Sequence, residues 1–177
     1  MTSEVDPLEQ QNWQRRFFTI WTGQAFSLLG SQLVQFALVW YLTKQTGSAT
    51  VLTTATLVAL LPSILIGPLA GSFVDRGNRR RIMMLADTSI AVCTLILAAL
   101  FAFDLVQIWH IYALMFLRSL GGSFHGPAMA ASTSLMVPKR HLGRIQGINQ
   151  MLGGGLNVIS APLGALLLEL LPMQGVL

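Results

Sequence analysis

The chain has 177 residues, of which 53% are hydrophobic and only 10% charged, with eleven Lys and Arg against seven Asp and Glu. Its mean hydropathy is +0.62. Soluble domains carry about a quarter charged residues, so a water-soluble fold of this size is excluded and a polytopic all-α membrane protein is indicated. The basic balance reflects arginines gathered in a few short segments and does not point to nucleic acid.

The N-terminal stretch, residues 1–16, is polar and is expected to be a cytoplasmic tail. It lacks the basic start, short apolar run and small-residue cleavage site of a signal peptide. The first apolar run is therefore expected to stay as an anchor. Five long apolar segments follow, at about 17–43, 49–74, 82–103, 108–137 and 145–171. A run such as Phe17 to Thr43 reaches ~40 Å as a helix, enough to cross a ~30 Å hydrocarbon core with tilt. The short connections predict antiparallel neighbours. Arg15 and Arg16, then Arg76, Arg79, Arg80 and Arg81, then Lys139, Arg140 and Arg144 fall at alternate ends of the segments, while the intervening loops hold Lys44 and Asp104. The positive-inside rule then puts the N-terminus and the basic loops in the cytoplasm, in the inner membrane of a cell. Trp40, Tyr41, Trp109 and Tyr112 are expected at the outer interface. Met173 to Leu177 is too short to recross, and reads as the start of a sixth helix in an N-terminal fragment.

Several residues stand out against this apolar background. Asp75 and Arg76 end the second segment, with Gly67 and Gly71 forming a small-xxx-small pair before them. A carboxylate at a helix C-terminus opposes the helix dipole, and paired small residues allow another helix to approach. Arg118 lies ~15 Å inside the fourth segment, where a cation costs ~2.5–3.5 kcal/mol and must face the bundle interior or a wet cavity. Asp87 lies only ~8 Å from the basic end of the third segment, and is expected to meet the basic loops rather than Arg118. Gln24, Ser27, Ser31 and Gln35 recur at helical spacing on one face of the first segment, and either line a pathway or bond another helix. Gly153, Gly154, Gly155, Pro162 and Gly164 make the fifth segment bendable or closely packed. Cys93 reads as a small core residue. Ser123 and His125 are two apart on one helix and point to different faces, so no serine hydrolase is indicated. No metal or cofactor set is evident, and no enzyme is expected.

Gly71, Asp75, Arg76, Arg79 and Arg80 form the pattern G-x-x-x-D-R-x-x-R-R, which resembles the signature loop of the major facilitator superfamily, with Asn78 where many members have glycine. The resemblance implies an N-terminal half-bundle, residues 17–177, of a twelve-helix secondary transporter, with Asp75 and Arg76 as gating residues that pack against the second half. Arg118 with Gly122 resembles the R-x-x-x-G motif tied to proton coupling, with Phe124 where a further glycine is usual. Ala161, Pro162 and Gly164 resemble the G-P-x-x-G element of antiporters, with Ala161 replacing its first glycine. The run Leu38 to Trp40 followed by Thr46 to Ala49 looks like the efflux branch that includes bacterial macrolide and siderophore exporters. Members of that branch often carry an acidic residue near Gly30 to Gln32; here there is none. Resemblance thus implies a proton-coupled efflux transporter working by alternating access. Its partners would be the lipid bilayer, a small-molecule substrate, protons and the missing C-terminal half; the fragment alone would be inactive. A non-transporting membrane scaffold or sensor on the same helices stays open.

Overall fold

The computed structural model describes residues 7–177, with side chains described from Trp13 onward; residues 1–6, part of the expected tail, lie outside the described residues. The described chain folds as α1 (Pro7–Thr46), α2 (Ala49–Arg76), α3 (Arg79–Ala102), α4 (Ile108–Met136), a 3-10 turn at Lys139–His141, α5 (Leu142–Leu170) and the short α6 (Met173–Val176). α1 begins ten residues before the first apolar run, so Arg15 and Arg16 lie on a helix continuous with it.

The helix ends have local causes. Gly47 takes a left-handed φ of +57° between α1 and α2, and the Ser48 side chain then caps α2 by accepting from Val51 N. Asn78 caps α3 by accepting from Arg81 N at 3.2 Å, so the basic connection shrinks to Gly77 and Asn78 and three of its arginines join the first turn of α3. Asp104 turns the chain between α3 and α4 with φ 54°, a conformation that Asp tolerates better than most residues. Inside the helices, hydroxyls such as those of Thr22, Thr53 and Thr88 donate to the carbonyl four residues back, which satisfies them without water. Prolines interrupt α2 at Pro62 and Pro68, α4 at Pro127 and α5 at Pro162; α3 has none.

α4 is the hub. It packs along both α2 and α3, while α1 pairs with α5 and touches α2 and α4 more lightly. Four stretches, Trp13–Thr46, Ala49–Arg76, Arg79–Ala102 and Lys139–Leu170, are long and apolar enough to cross a membrane. α4 is equally long but more polar, and the reason is its position. Arg118, Ser123, His125 and Thr133 are all buried there, Ser123 and Thr133 donating to carbonyls of α4 itself. Leu57, Ile64, Leu65, Leu69, Leu85, Leu95 and Val158 are exposed on the outer faces of the other helices, as lipid-facing residues are.

Two apolar clusters close the bundle at opposite ends. Phe17, Val137 and Ile145, with Trp13 and Trp21 against them, join α1, α4 and α5 at the basic end. Leu38, Leu42, Ala55, Leu97, Phe101 and Ile111 fill the other end, where Met173 and Leu177 also pack. Cys93 is buried in this second cluster. At that end Tyr41 stands edge-on to Phe101 and the Tyr112 hydroxyl donates to Val51 O at 3.0 Å, so both tyrosines pack against the cluster, while Trp40 and Trp109 are exposed. Polar side chains occupy the layer between the clusters.

Candidate functional site

A cavity of about 430 Å³ opens in that middle layer, walled by α1, α2, α3 and α4. The polar face predicted on α1 supplies Ser27, Ser31 and Gln35 to it, and α4 supplies Arg118, Gly122 and His125. Arg118 is 8% exposed. Its Nη1 donates to Thr94 Oγ1, and its Nη2 to Ser31 O at 3.4 Å. Thr94 in turn donates to Ile90 O at 2.8 Å, so its hydroxyl is used twice. Neutral acceptors thus hold the guanidinium, with N–H groups left over from its five. A cation so placed on a cavity wall is a ready partner for a polar group inside it.

Two helical turns toward the basic end sits a second charged element. His125 Nδ1 lies 2.8 Å from Asp87 Oδ1, and Gln24 Nε2 donates to Asp87 Oδ2 at 3.4 Å. Asp87 therefore does not meet the basic loops, as its depth alone suggested. It turns inward and joins α1, α3 and α4 at one point. Asp87 to Thr94 on α3 and Arg118 to His125 on α4 are both seven-residue steps, so the two cross-helix pairs are equivalent rungs of one antiparallel hairpin. That symmetry was the available signal for the His125 partner, which reading each helix alone missed. Ser123 donates to Ser119 O of its own helix at 2.9 Å and takes no part.

The glycines divide differently from the motif positions. A Cβ on Gly121 would sit 2.7 Å from Ser89 Oγ and 3.3 Å from Ala86 O, so this glycine brings α3 and α4 together. Its neighbour Gly122 has open space and lines the cavity. Gly67 and Gly71 also have nothing within 4 Å, so no helix among the described residues uses the close approach they permit. On α5, Gly164 packs against Phe36 of α1, where a Cβ would lie 2.5 Å from the ring. Pro162 is exposed and Ala161 half-buried, and the α5 element does not reach the cavity wall. Contacts of Trp21 Nε1 with Asn149 Oδ1 (2.8 Å) and of Gln32 Nε2 with Asn157 Oδ1 (3.1 Å) complete the α1–α5 seam.

At the basic end, a cleft of about 800 Å³ runs between α1, the α2–α3 turn and α4. Asp75, Arg79 and Arg80 stand at it, with Met83, Met129 and Met136 among its walls. Arg79 Nη1 also donates to Ala131 O at 3.4 Å, which pins the start of α3 to α4. Arg76 faces another hollow, beside Phe73 and Phe124. Asp75 and Arg76, adjacent in sequence, thus address different surfaces. Gln24 lines this cleft while bonding Asp87 of the cavity above, and so stands between the two spaces.

A sequence profile of the Major Facilitator Superfamily matches residues 20–177. The chain belongs to the major facilitator superfamily. It is 38% identical over 166 residues to macrolide efflux protein A of Streptococcus pyogenes, covering 94% of this chain and 41% of that one. Its identity to macrolide efflux protein A of Enterococcus faecalis is 34% over 131 residues, or 74% of this chain and 40% of the relative. An uncharacterized MFS-type transporter of Bacillus subtilis, YkuC, is 26% identical over 97% of the chain and 39% of its own length. No solved structure matches. The chain therefore spans about two fifths of the length of these curated relatives. Membership makes it a multi-pass membrane protein of a transporter superfamily, and the bundle described above is the N-terminal helical part of that fold.

Proposed function

We propose that this chain forms one half of the pathway of a secondary transporter that exports a small molecule, with macrolides as the first class to test. The observation that carries this reading is Arg118: a buried cation without a carboxylate partner among the described residues, set on the wall of a polar cavity between two apolar plugs. A charge there is costly, and the remaining N–H groups of Arg118 face the cavity, where a polar group of a substrate can meet them. The names of the relatives support export, and their greater length supports a second helical bundle facing the cavity.

In this reading the basic end is cytoplasmic, the membrane is the cell membrane, and the cavity opens alternately to its two sides. Asp75, Arg76, Arg79 and Arg80 hold the basic end against the opposite bundle when it is shut, and Gly71 gives that bundle room. Ser27, Ser31, Gln35 and Gly122 line the route, Gln24 stands at its inner mouth, and Ala161, Pro162 and Gly164 let α5 adjust. Uptake of protons drives export.

The test is macrolide efflux from a drug-sensitive bacterial host expressing the full-length transporter. Arg118→Ala and Asp75→Asn are each expected to cut efflux at least tenfold at unchanged membrane abundance. Normal efflux in Asp75→Asn removes the gating role, and normal efflux in Arg118→Ala removes the pathway role; a wild type that exports no more than the empty host leaves the scaffold or sensor reading in its place.

A further inference from the structure

The contact between α3 and α4 deserves a chemical explanation of its own. Neither nitrogen of the buried His125 ring makes an aligned hydrogen bond among the described residues, although Nδ1 is only 2.8 Å from Asp87 Oδ1. The amide oxygen of Gln24 beside it is likewise buried without a partner. A carboxylate, an imidazole and an amide from three helices thus converge on one point beside the cavity, with polar atoms still free to bond. We propose that Asp87 and His125 together are the proton-binding site of this bundle. The inference rests on the proton-driven export proposed above and assigns the residues that carry the proton.

The charge inventory leads there. Between Phe17 and Thr43 of α1, Ala49 and Val74 of α2, and Ile145 and Leu168 of α5, no side chain ionises near neutral pH. α3 brings Asp87 and Cys93 to the interior, and α4 brings Arg118 and His125; Cys93 belongs to the apolar cluster at the far end. An arginine keeps its proton at any physiological pH. Imidazole is the side chain that ordinarily titrates between pH 5 and 8. With Arg118 and the Asp87 carboxylate offsetting each other, one proton on the pair changes the charge of the cavity wall from balanced to positive.

The geometry supplies a route in and out. Asp87 is 32% exposed at its side chain and lines the cavity, whereas His125 is 8% exposed behind it. A proton arrives at the open carboxylate, is shared along the short line from Oδ1 to Nδ1, and leaves by the same carboxylate once the cavity faces the other side. One proton is bound and one released; no other bond is made or broken. Gln24 carries the change to α1, because its amide donates to Asp87 Oδ2 only while that oxygen is an acceptor.

The experiment uses the full-length transporter in proteoliposomes, with substrate export read under an imposed pH gradient and, separately, as exchange at equal pH. For Asp87→Asn, and for His125→Gln as a polar, non-titrating second variant, gradient-driven export is expected to fall at least tenfold while exchange stays within about threefold. Gradient-driven export that persists in both variants overturns the assignment. If the wild type ignores the pH gradient, or answers to sodium instead, the proton-driven reading itself has failed. A measurement that needs no variant is the His125 ring resonance in the labelled protein, where the other two histidines are His110 and His141. It is expected to move with pH and to move again on adding substrate. A resonance unmoved by pH overturns the assignment.

Discussion

Single side chains decide how closely this bundle can close. Gly121 and Gly122 are neighbours, yet a Cβ on the first would strike Ser89, Ile90 and Ala86, and a Cβ on the second would meet nothing. Gly121→Val is expected to destabilise the detergent-solubilised protein by about 1–3 kcal/mol through overpacking, and Gly122→Ala to leave thermal stability unchanged. A melting curve for each settles it; equal stability of Gly121→Val and wild type would refute the close approach. Sequence reading picked Gly122 because it fits a motif, and a motif records spacing without recording which face meets a neighbour. Asn78 is the opposite case: a departure from the family's pattern that has a local purpose, the cap of α3. Asp87 and His125 were the least legible of all. Depth along one helix says how far a charge is from water, but a partner is found only by folding the hairpin about its turn.

At the scale of elements, most of the architecture was legible. Charge-free runs of membrane length and short connections carry the antiparallel helices, because each long apolar run has only one way to hide its backbone in lipid. The ends were less so: α1 starts at Pro7 and runs to Thr46, α2 runs on to Arg76, and the Asn78 cap starts α3 at Arg79, each in polar sequence. The polarity of α4 is likewise a packing outcome: it sits between α2 and α3, so Ser119 donates to Ala59 O of α2 and Arg118 to Thr94 of α3. The α1–α5 seam depends on a fit of ring to glycine. Gly164→Val is expected to push Phe36 aside and cost about 1–3 kcal/mol, and Phe36→Ala in the same protein to restore part of that loss. The double-mutant comparison measures the coupling; additive effects would mean that the two residues do not meet.

For the whole molecule, the arginines and lysines at one end make a prediction about sidedness. In a Cys93→Ala background, Lys139→Cys is expected to react with a membrane-impermeant maleimide only in inverted vesicles, and Asp104→Cys only in intact cells. The reverse pattern would invert the orientation proposed here. The distribution of prolines has a mechanical consequence as well. Pro62, Pro127 and Pro162 each leave the carbonyl four residues earlier, at Val58, Ser123 and Val158, without its usual donor, whereas α3 is unbroken along its length and α1 carries only the proline at its first residue. The bundle is thus built of two stiff struts and three compliant ones. The Asp87 carboxylate is mounted on a strut and the His125 ring two residues from a compliant point, so a force that bends α4 is felt first as a change in the length of that one contact.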